Sequence, residues 1–282
     1  MGWTLTDDLD DYVTVAASFL RSRPVQNTIQ LAAAETLRVR GAAAFGETAP
    51  LFGWWRSSGG EITAALLHTP PYPVLLTRLS ERSAEPLAEA LVTCRRPLAG
   101  VNAEQGDAAA FATAWSRLTG TSFRESRRSR LFRLERLRPP DPRPPGAARE
   151  ATAADRALLE SWLAAFGDEI GESFRSPSSV VDDQLSYRGL ILWEDGGAAV
   201  SVAGRQRPAA GVVRVGPVYT PPEHRRQGYA GAVTAAVSQA ALDGGADHVA
   251  LFTDLANPTS NALYQRLGYR PVEDRVVLGF GS

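Results

Sequence analysis

Lysine is missing from the 282-residue sequence altogether, so all 30 basic residues are arginine. A Walker-type phosphate loop needs a Gly-Lys-Ser/Thr ending and is thereby excluded. Cysteine occurs once, at Cys94, which rules out an intrachain disulfide and any metal site built from cysteines. Histidine is scarce as well. His68 has no second histidine or carboxylate at ligand spacing, so a structural role is expected for it and no metal site is expected. No apolar run reaches membrane-spanning length, and the N-terminus carries acidic residues where a signal peptide carries basic ones, which together read as a cytoplasmic protein that does not enter a membrane. A strong charge imbalance is lacking too. The net charge of −1 argues against a general nucleic-acid binder, and the arginine-only usage reads as biased genomic composition.

What remains is globular in composition, with 44% hydrophobic and 22% charged residues and length for one large domain or two ordinary ones. Its organising stretch is Gly211 to Gly231, GVVRVGPVYTPPEHRRQGYAG. Val212, Val213, Val215, Val218 and Tyr219 make a β-branched and aromatic run, interrupted by Gly216-Pro217 where an undisturbed central strand tolerates neither residue. A bulged or splayed strand is expected. Pro221-Pro222 ends it, and Arg225-Arg226-Gln227-Gly228-Tyr229-Ala230-Gly231 leads into an alanine-rich helix running to about Asp243. Small residues at a helix N-terminus let an anion approach unpaired N–H groups, and the two arginines add positive charge. A dinucleotide fingerprint fits poorly, because the third glycine and the later acidic residue after another strand are both absent.

The spacing Arg225-x-x-Gly228-x-Ala230 after a Val-Tyr-Thr-Pro-Pro strand end resembles the acetyl-coenzyme A pyrophosphate loop of the GNAT superfamily of N-acetyltransferases. A later segment, Asn257-Pro258-x-x-Asn261-x-x-Tyr264-x-x-x-Gly268-Tyr269, is similar to the superfamily's late helix. Two motifs at the right separation are more specific than either alone.

Taken in order, the chain predicts helices at Thr6 to Leu20 and Asn27 to Arg40. Strands at Leu51 to Trp55 and Ile62 to Leu67 follow, joined through Ser57-Ser58-Gly59-Gly60. Of the adjacent Trp54 and Trp55, alternation predicts one in the core and the other at a surface or interface. A strand at Val74 to Leu76, a helix at Pro86 to Thr93, a strand at Leu98 to Asn102, a helix at Asp107 to Leu118 and a strand at Leu131 to Leu137 complete this part. The arginines from Arg124 to Arg138 are interleaved with acids on a strand pattern, which favours a solvated sheet face over an RNA site. Five prolines between Pro139 and Gly146 mark a semi-rigid linker.

Beyond the linker the pattern reads strand (Ala148 to Ala151), helix (Ala153 to Phe166), an acidic loop with Asp168, Glu169 and Glu172, and helix (Ser178 to Tyr187). Strands at Leu190 to Glu194 and Ala198 to Val202 lead into the organising stretch. Next come a strand at His248 to Thr253, a helix from Asn257-Pro258 to Leu267 and a final strand at Arg275 to Phe280. Strand, two helices, three strands, helix, strand, helix, strand is the arrangement of the GNAT fold, an α/β fold with a mixed central sheet. The expectation is therefore residues 1–138 as a degenerate GNAT-like domain without a phosphate loop, 139–146 as linker and 147–282 as the N-acetyltransferase domain.

The resemblance implies acetyl-coenzyme A as acetyl donor. The main chain of Val218, Tyr219 and Thr220 would pair with the pantetheine arm, and the amides from Gln227 through Gly228, Tyr229 and Ala230 to Gly231 would hold the pyrophosphate with Arg225 and Arg226 nearby. Asn257 and Asn261 would share a helix face with Tyr264, the candidate general acid toward the thiolate; capping is an equal reading of Asn257. The implied reaction is direct transfer to a primary amine of a small molecule. A protein or peptide acceptor, or a coenzyme A-binding module without turnover, are the alternatives. For the base, Arg214, Val215 and Val218 stand where some members carry a glutamate; Asp168, Glu169 and Glu172 are candidates, Glu223 and His224 are less suitable, and a water relay or an amine that arrives unprotonated needs no dedicated base. Oligomeric state is not legible.

Overall fold

The computed structural model describes residues 1–80, 82–171 and 176–281. It divides into two compact units: Met1–Leu131 with Thr253–Ala256 and Val272–Ser282, and Phe132–Phe252 with Asn257–Pro271.

The first unit opens with a strand, β1 (Gly2–Thr6), where the sequence pattern suggested only the approach to a helix. Helix α1 (Leu9–Ser22) starts because Asp8 accepts hydrogen bonds from the Asp10 and Asp11 amides, and Asp10 and Asp11 suit the positive end of its dipole. Its buried residues Tyr12, Ala16 and Leu20 recur every four positions and form one face. Asn27 precedes α2 (Thr28–Arg40) but does not cap it; its amide donates to the Leu20 carbonyl and so fixes the end of α1. Strands β2 (Leu51–Arg56) and β3 (Ile62–His68) form the expected hairpin, followed by β4 (Val74–Leu76), α3 (Ala84–Thr93), β5 (Gly100–Glu104), α4 (Gln105–Thr119) and β6 (Ser122–Leu134). Strand β6 begins well before the expected Leu131, and its first six residues, Ser122 to Arg127, are exposed.

Trp54 and Trp55 are both buried, which corrects the expectation of one exposed ring. Alternation does place them on opposite faces, but helices cover both. Trp54 packs with Tyr12, Leu20 and Leu37 of α1 and α2, whereas Trp55 meets Trp3 of β1 at 5.9 Å between ring centroids, on the side of α3 and α4. His68 is buried and structural as expected: Arg96 Nε donates to its Nδ1 at 3.1 Å, and burial with the neighbouring cation lowers its pKa to about 4.

The second unit runs β7 (Ala147–Glu150), α5 (Arg156–Ile170), α6 (Pro177–Ser186), β8 (Leu190–Asp195), β9 (Ala198–Arg205), β10 (Val212–Tyr219), α7 (Tyr229–Asp243), β11 (His248–Asp254), α8 (Pro258–Arg266) and β12 (Tyr269–Gly281). That is the element order anticipated from the pattern. Asp168 and Glu169 lie within α5 instead of a loop, because the helix persists until Gly171 adopts a left-handed conformation; Glu172 falls outside the described residues. Strands β11-β10-β9-β8-β7 are neighbours in that order, with β10 parallel to β11 and antiparallel to β9. Val213 and Val215 pack toward α7, whereas Leu192, Val202 and Tyr219 pack toward α5 and α6.

Strand β12 contributes only its first three residues to this unit. From Val272 onward it belongs to the first, where Arg275 to Gly279 pair with Glu104 to Gly100 of β5 and the strand order is β1-β2-β3-β4-β5-β12-β6. Arg275 is buried within the first unit with its charge fully used: it donates to Asn102 Oδ1, to the Leu76 and Asn102 carbonyls and to Glu273 at 3.0 to 3.1 Å.

Tyr12 is the counter-case. Its ring stacks on Phe52 at 5.1 Å, but its hydroxyl is buried without a hydrogen-bond partner, and burial raises its pKa. An unsatisfied buried hydroxyl costs stability, so Tyr12→Phe is expected to raise unfolding free energy by about 1 kcal/mol in a urea titration.

Candidate functional site

The site is built around an interruption in β10. Parallel pairing with β11 runs from Val212↔His248 to Val215↔Leu251 and stops there, while pairing with β9 slips between Val215 and Val218. Gly216-Pro217 lies in the slip. Proline has no N–H to give a neighbouring strand, so the two parallel strands separate at this point and the segment from Val218 onward leaves β11. The interrupted strand expected from the residues is thus present.

Two of the three main-chain positions expected to face a pantetheine arm already hold their carbonyls in place. Ser201 Oγ donates to the Tyr219 carbonyl at 3.0 Å and lies 2.8 Å from Thr220 Oγ1, and Arg225 Nε donates to the Thr220 carbonyl at 2.9 Å. Each carbonyl keeps a second lone pair. Val218 is half-buried, and Tyr219 and Thr220 are buried.

After a 3-10 turn at Pro222–His224 the chain enters a tight turn in which Arg226 (φ 65°) and Gly228 (φ 88°) both adopt left-handed conformations. A non-glycine residue there is uncommon and such strain gathers at functional turns. Left-handed residues alternating with others aim successive N–H groups into one concavity, an anion-binding arrangement. Gly228 is also the N-cap of α7 and supplies no side-chain cap, in contrast to Asp8, Ser176 and Asn257 at other helix starts. Arg226, Gln227 and Gly228 are exposed and Ala230 is half-buried.

The two arginines differ. Arg225 is not directed at the turn alone: its Nη2 lies 2.5 Å from Glu169 Oε1 near the end of α5, and its guanidinium sits 5.9 Å from the Tyr219 ring centre. Gln227 and Tyr229 form a separate support, with the Tyr229 hydroxyl donating to Asp195 Oδ2 at 2.5 Å and the Gln227 side-chain amide 3.2 Å from the same hydroxyl. Gly231 has a packing reason to be small, since a Cβ there would stand 3.1 Å from Leu263 of α8 and 3.3 Å from Pro140. The proline-rich segment therefore lies along the start of α7, where Pro144 would face a Cβ at Gly228 at 3.5 Å.

On α8 the three residues of the late-helix motif differ in burial. Asn261 and Tyr264 are buried, whereas Asn257 is exposed and acts as N-cap, accepting from the Ser260 amide at 3.0 Å. Asn261 Nδ2 donates to the Asn257 carbonyl at 2.7 Å. Tyr264 belongs to the core that includes Val213 and Val215, with Phe132 and Tyr269 at 6.3 and 6.1 Å between ring centroids. Burial pushes its pKa up to about 12, and the phenol holds its proton at neutral pH. On the other face, Arg214 bonds to Gln206, and loss of hydration on burial lowers its pKa to about 10, still cationic. An apolar pocket opens beside the slip, with Trp162, Phe166, Gln184, Pro217 and Tyr219 among its walls. Among the described residues no group of three or more His, Cys, Asp or Glu side chains could hold a metal ion, and no helix is long and apolar enough to cross a membrane.

Glu169, Asp195, Ser201 and the linker prolines support the turn, and all but Glu169 lacked a signal in the sequence. Their contacts span 18 to 91 positions, beyond the reach of local periodicity.

Residues 196–278, which contain β10, the turn, α7 and α8, match the family model of the FR47-like proteins. The fold is shared with a Drosophila protein (14% identity, TM-score 0.67, covering 99% of this chain and 98% of that one). It is also shared with a GCN5-related N-acetyltransferase from Sphaerobacter thermophilus (18%, 0.66, 98% and 94%). A tandem GNAT protein from the clavulanic acid biosynthesis pathway aligns along 99% of this chain and 98% of its own, at 15% identity and TM-score 0.54. No curated protein matches the sequence. These likenesses establish the GNAT acyltransferase fold.

Gly228 is constrained by its own backbone before any ligand is considered. Gly228→Ala places a side chain at φ 88° against Pro144 and is expected to cost about 1 kcal/mol of stability, read as a lowered thermal midpoint.

Proposed function

We propose that this chain is an acetyl-coenzyme A-dependent N-acetyltransferase that acts on a primary amine of a small molecule. The observation that carries the reading is the end of β10–β11 pairing at Val215↔Leu251, followed within one strand and turn by a left-handed anion-binding turn and an uncapped helix start. An extended, amide-rich chain with a diphosphate at one end matches that pairing of features. The residues present fit the donor.

Acetyl-coenzyme A, when bound, supplies an activated acyl group as a thioester. Val218 to Thr220 would align it by main-chain hydrogen bonds, and the amides from Gln227 to Gly231 would hold its pyrophosphate with help from Arg225 and Arg226. A backbone N–H freed where β10 leaves β11 would stabilise negative charge developing on the carbonyl oxygen. Tyr264, fully protonated at neutral pH, is the proposed donor of a proton to the departing thiolate. Among the described residues of β10 no carboxylate is present, and Arg214 is cationic, so the amine is proposed to arrive neutral or to lose its proton through water.

Cofactor binding is assigned to the second unit. In the first, α3 carries Glu85 in its first turn, where α7 carries Ala230, and a carboxylate there opposes a phosphate group. The same comparison supplies a test. Ala230→Glu suits a helix N-terminus energetically, so the variant is expected to fold normally yet lose acetyl-coenzyme A binding by calorimetry; retained affinity would remove the turn as the phosphate site. Tyr264→Phe keeps the packed ring and is expected to lower turnover at least tenfold, followed as thiol release, with cofactor affinity unchanged.

A further inference from the structure

Arg225 has two claims on it that cannot both be met in full. It immediately precedes Arg226 and the left-handed turn in the chain, yet its Nη2 is engaged by Glu169 at 2.5 Å. Glu169 sits in the last turn of α5, so this ion pair ties the helix to the phosphate turn. Arg225 Nε meanwhile holds the Thr220 carbonyl at 2.9 Å, which fixes the guanidinium plane and leaves the Nη edge as the part that can change partner.

Both partners are about two-fifths exposed, at 42% and 43% of side-chain surface. A solvent-exposed pair of this kind stabilises only weakly, because water screens the attraction and holding two long side chains costs entropy. A diphosphate carries more charge than a carboxylate and presents several acceptor oxygens to a guanidinium. The stronger anion takes the arginine.

We propose that Glu169 is a positioning residue that competes with the cofactor's pyrophosphate for Arg225, so that filling the phosphate turn detaches the end of α5 from it. This rests on the assignment of acetyl-coenzyme A to the turn. The link matters because Gly171 ends α5 directly after Glu169 and Ile170, and the chain then returns through α6, whose Val181 and Gln184 line the pocket beside Pro217 and Tyr219. Cofactor occupancy is thereby connected to the α5–α6 wall of that pocket.

The test is a double-mutant cycle read by calorimetric titration of the full chain with acetyl-coenzyme A, with folding of each variant checked by circular dichroism. Glu169→Gln removes the competing charge and is expected to tighten binding roughly two- to fivefold. In an Arg225→Ala background the same Glu169→Gln change is expected to leave affinity unaltered. Unchanged or weakened binding by Glu169→Gln overturns the competition. Equal tightening with and without Arg225 overturns it too, since that result means Glu169 acts by direct repulsion of the phosphates. Absence of binding by the folded wild-type chain is a different failure, removing the cofactor assignment and this inference with it.

Discussion

Pairing between two parallel strands has to end somewhere, and in this protein it ends in the middle of the sheet. At Gly216-Pro217 the β10 backbone cannot continue the ladder with β11, and the register against β9 slips at the same place. A strand interior with unpaired N–H and C=O groups is costly unless something engages them. Ser201, Arg225 and Thr220 engage part of that segment from the protein side, and a ligand backbone is suited to the rest. The position of α7, the turn before it and the pocket beside Pro217 all follow from where β10 departs.

The turn that follows is held by remote groups. Asp195 fixes Tyr229, Pro144 faces Gly228, Pro140 and Leu263 close over Gly231, and Glu169 restrains Arg225. Most of these residues stand far from the turn in sequence. Such support leaves the turn's amides preorganised, which lowers the cost of holding an anion, and leaves one exposed ion pair as the adjustable part. The proline-rich segment, expected as a spacer, is also a packing surface for the start of α7.

The first unit shows what the same outline does without such a turn. Its sheet is covered on both faces, with Trp54 and Trp55 buried on opposite sides, and it is bound together by the fully satisfied guanidinium of Arg275. Glu85 at the start of α3 is unsuited to phosphate. Stability is the evident role of these features. The chain's C-terminal strand serves it directly, since Arg275 to Gly279 pair with β5.

Local chemistry made much of this legible. The β-branched run broken by Gly216-Pro217, the small residues after Arg225-Arg226 and the Asn257-Pro258 cap each act over a few residues, where propensity and turn geometry dominate; the element order from β7 to β12 and the strand interruption follow from them. Other features depend on groups that meet only after folding. Alternation could place Trp54 and Trp55 on opposite faces but not reveal that helices cover both. The division of β12 between units and the hold of Glu169 on Arg225 were likewise decided by the tertiary structure, because burial and ion pairing depend on distance in space, which separation along the chain does not determine.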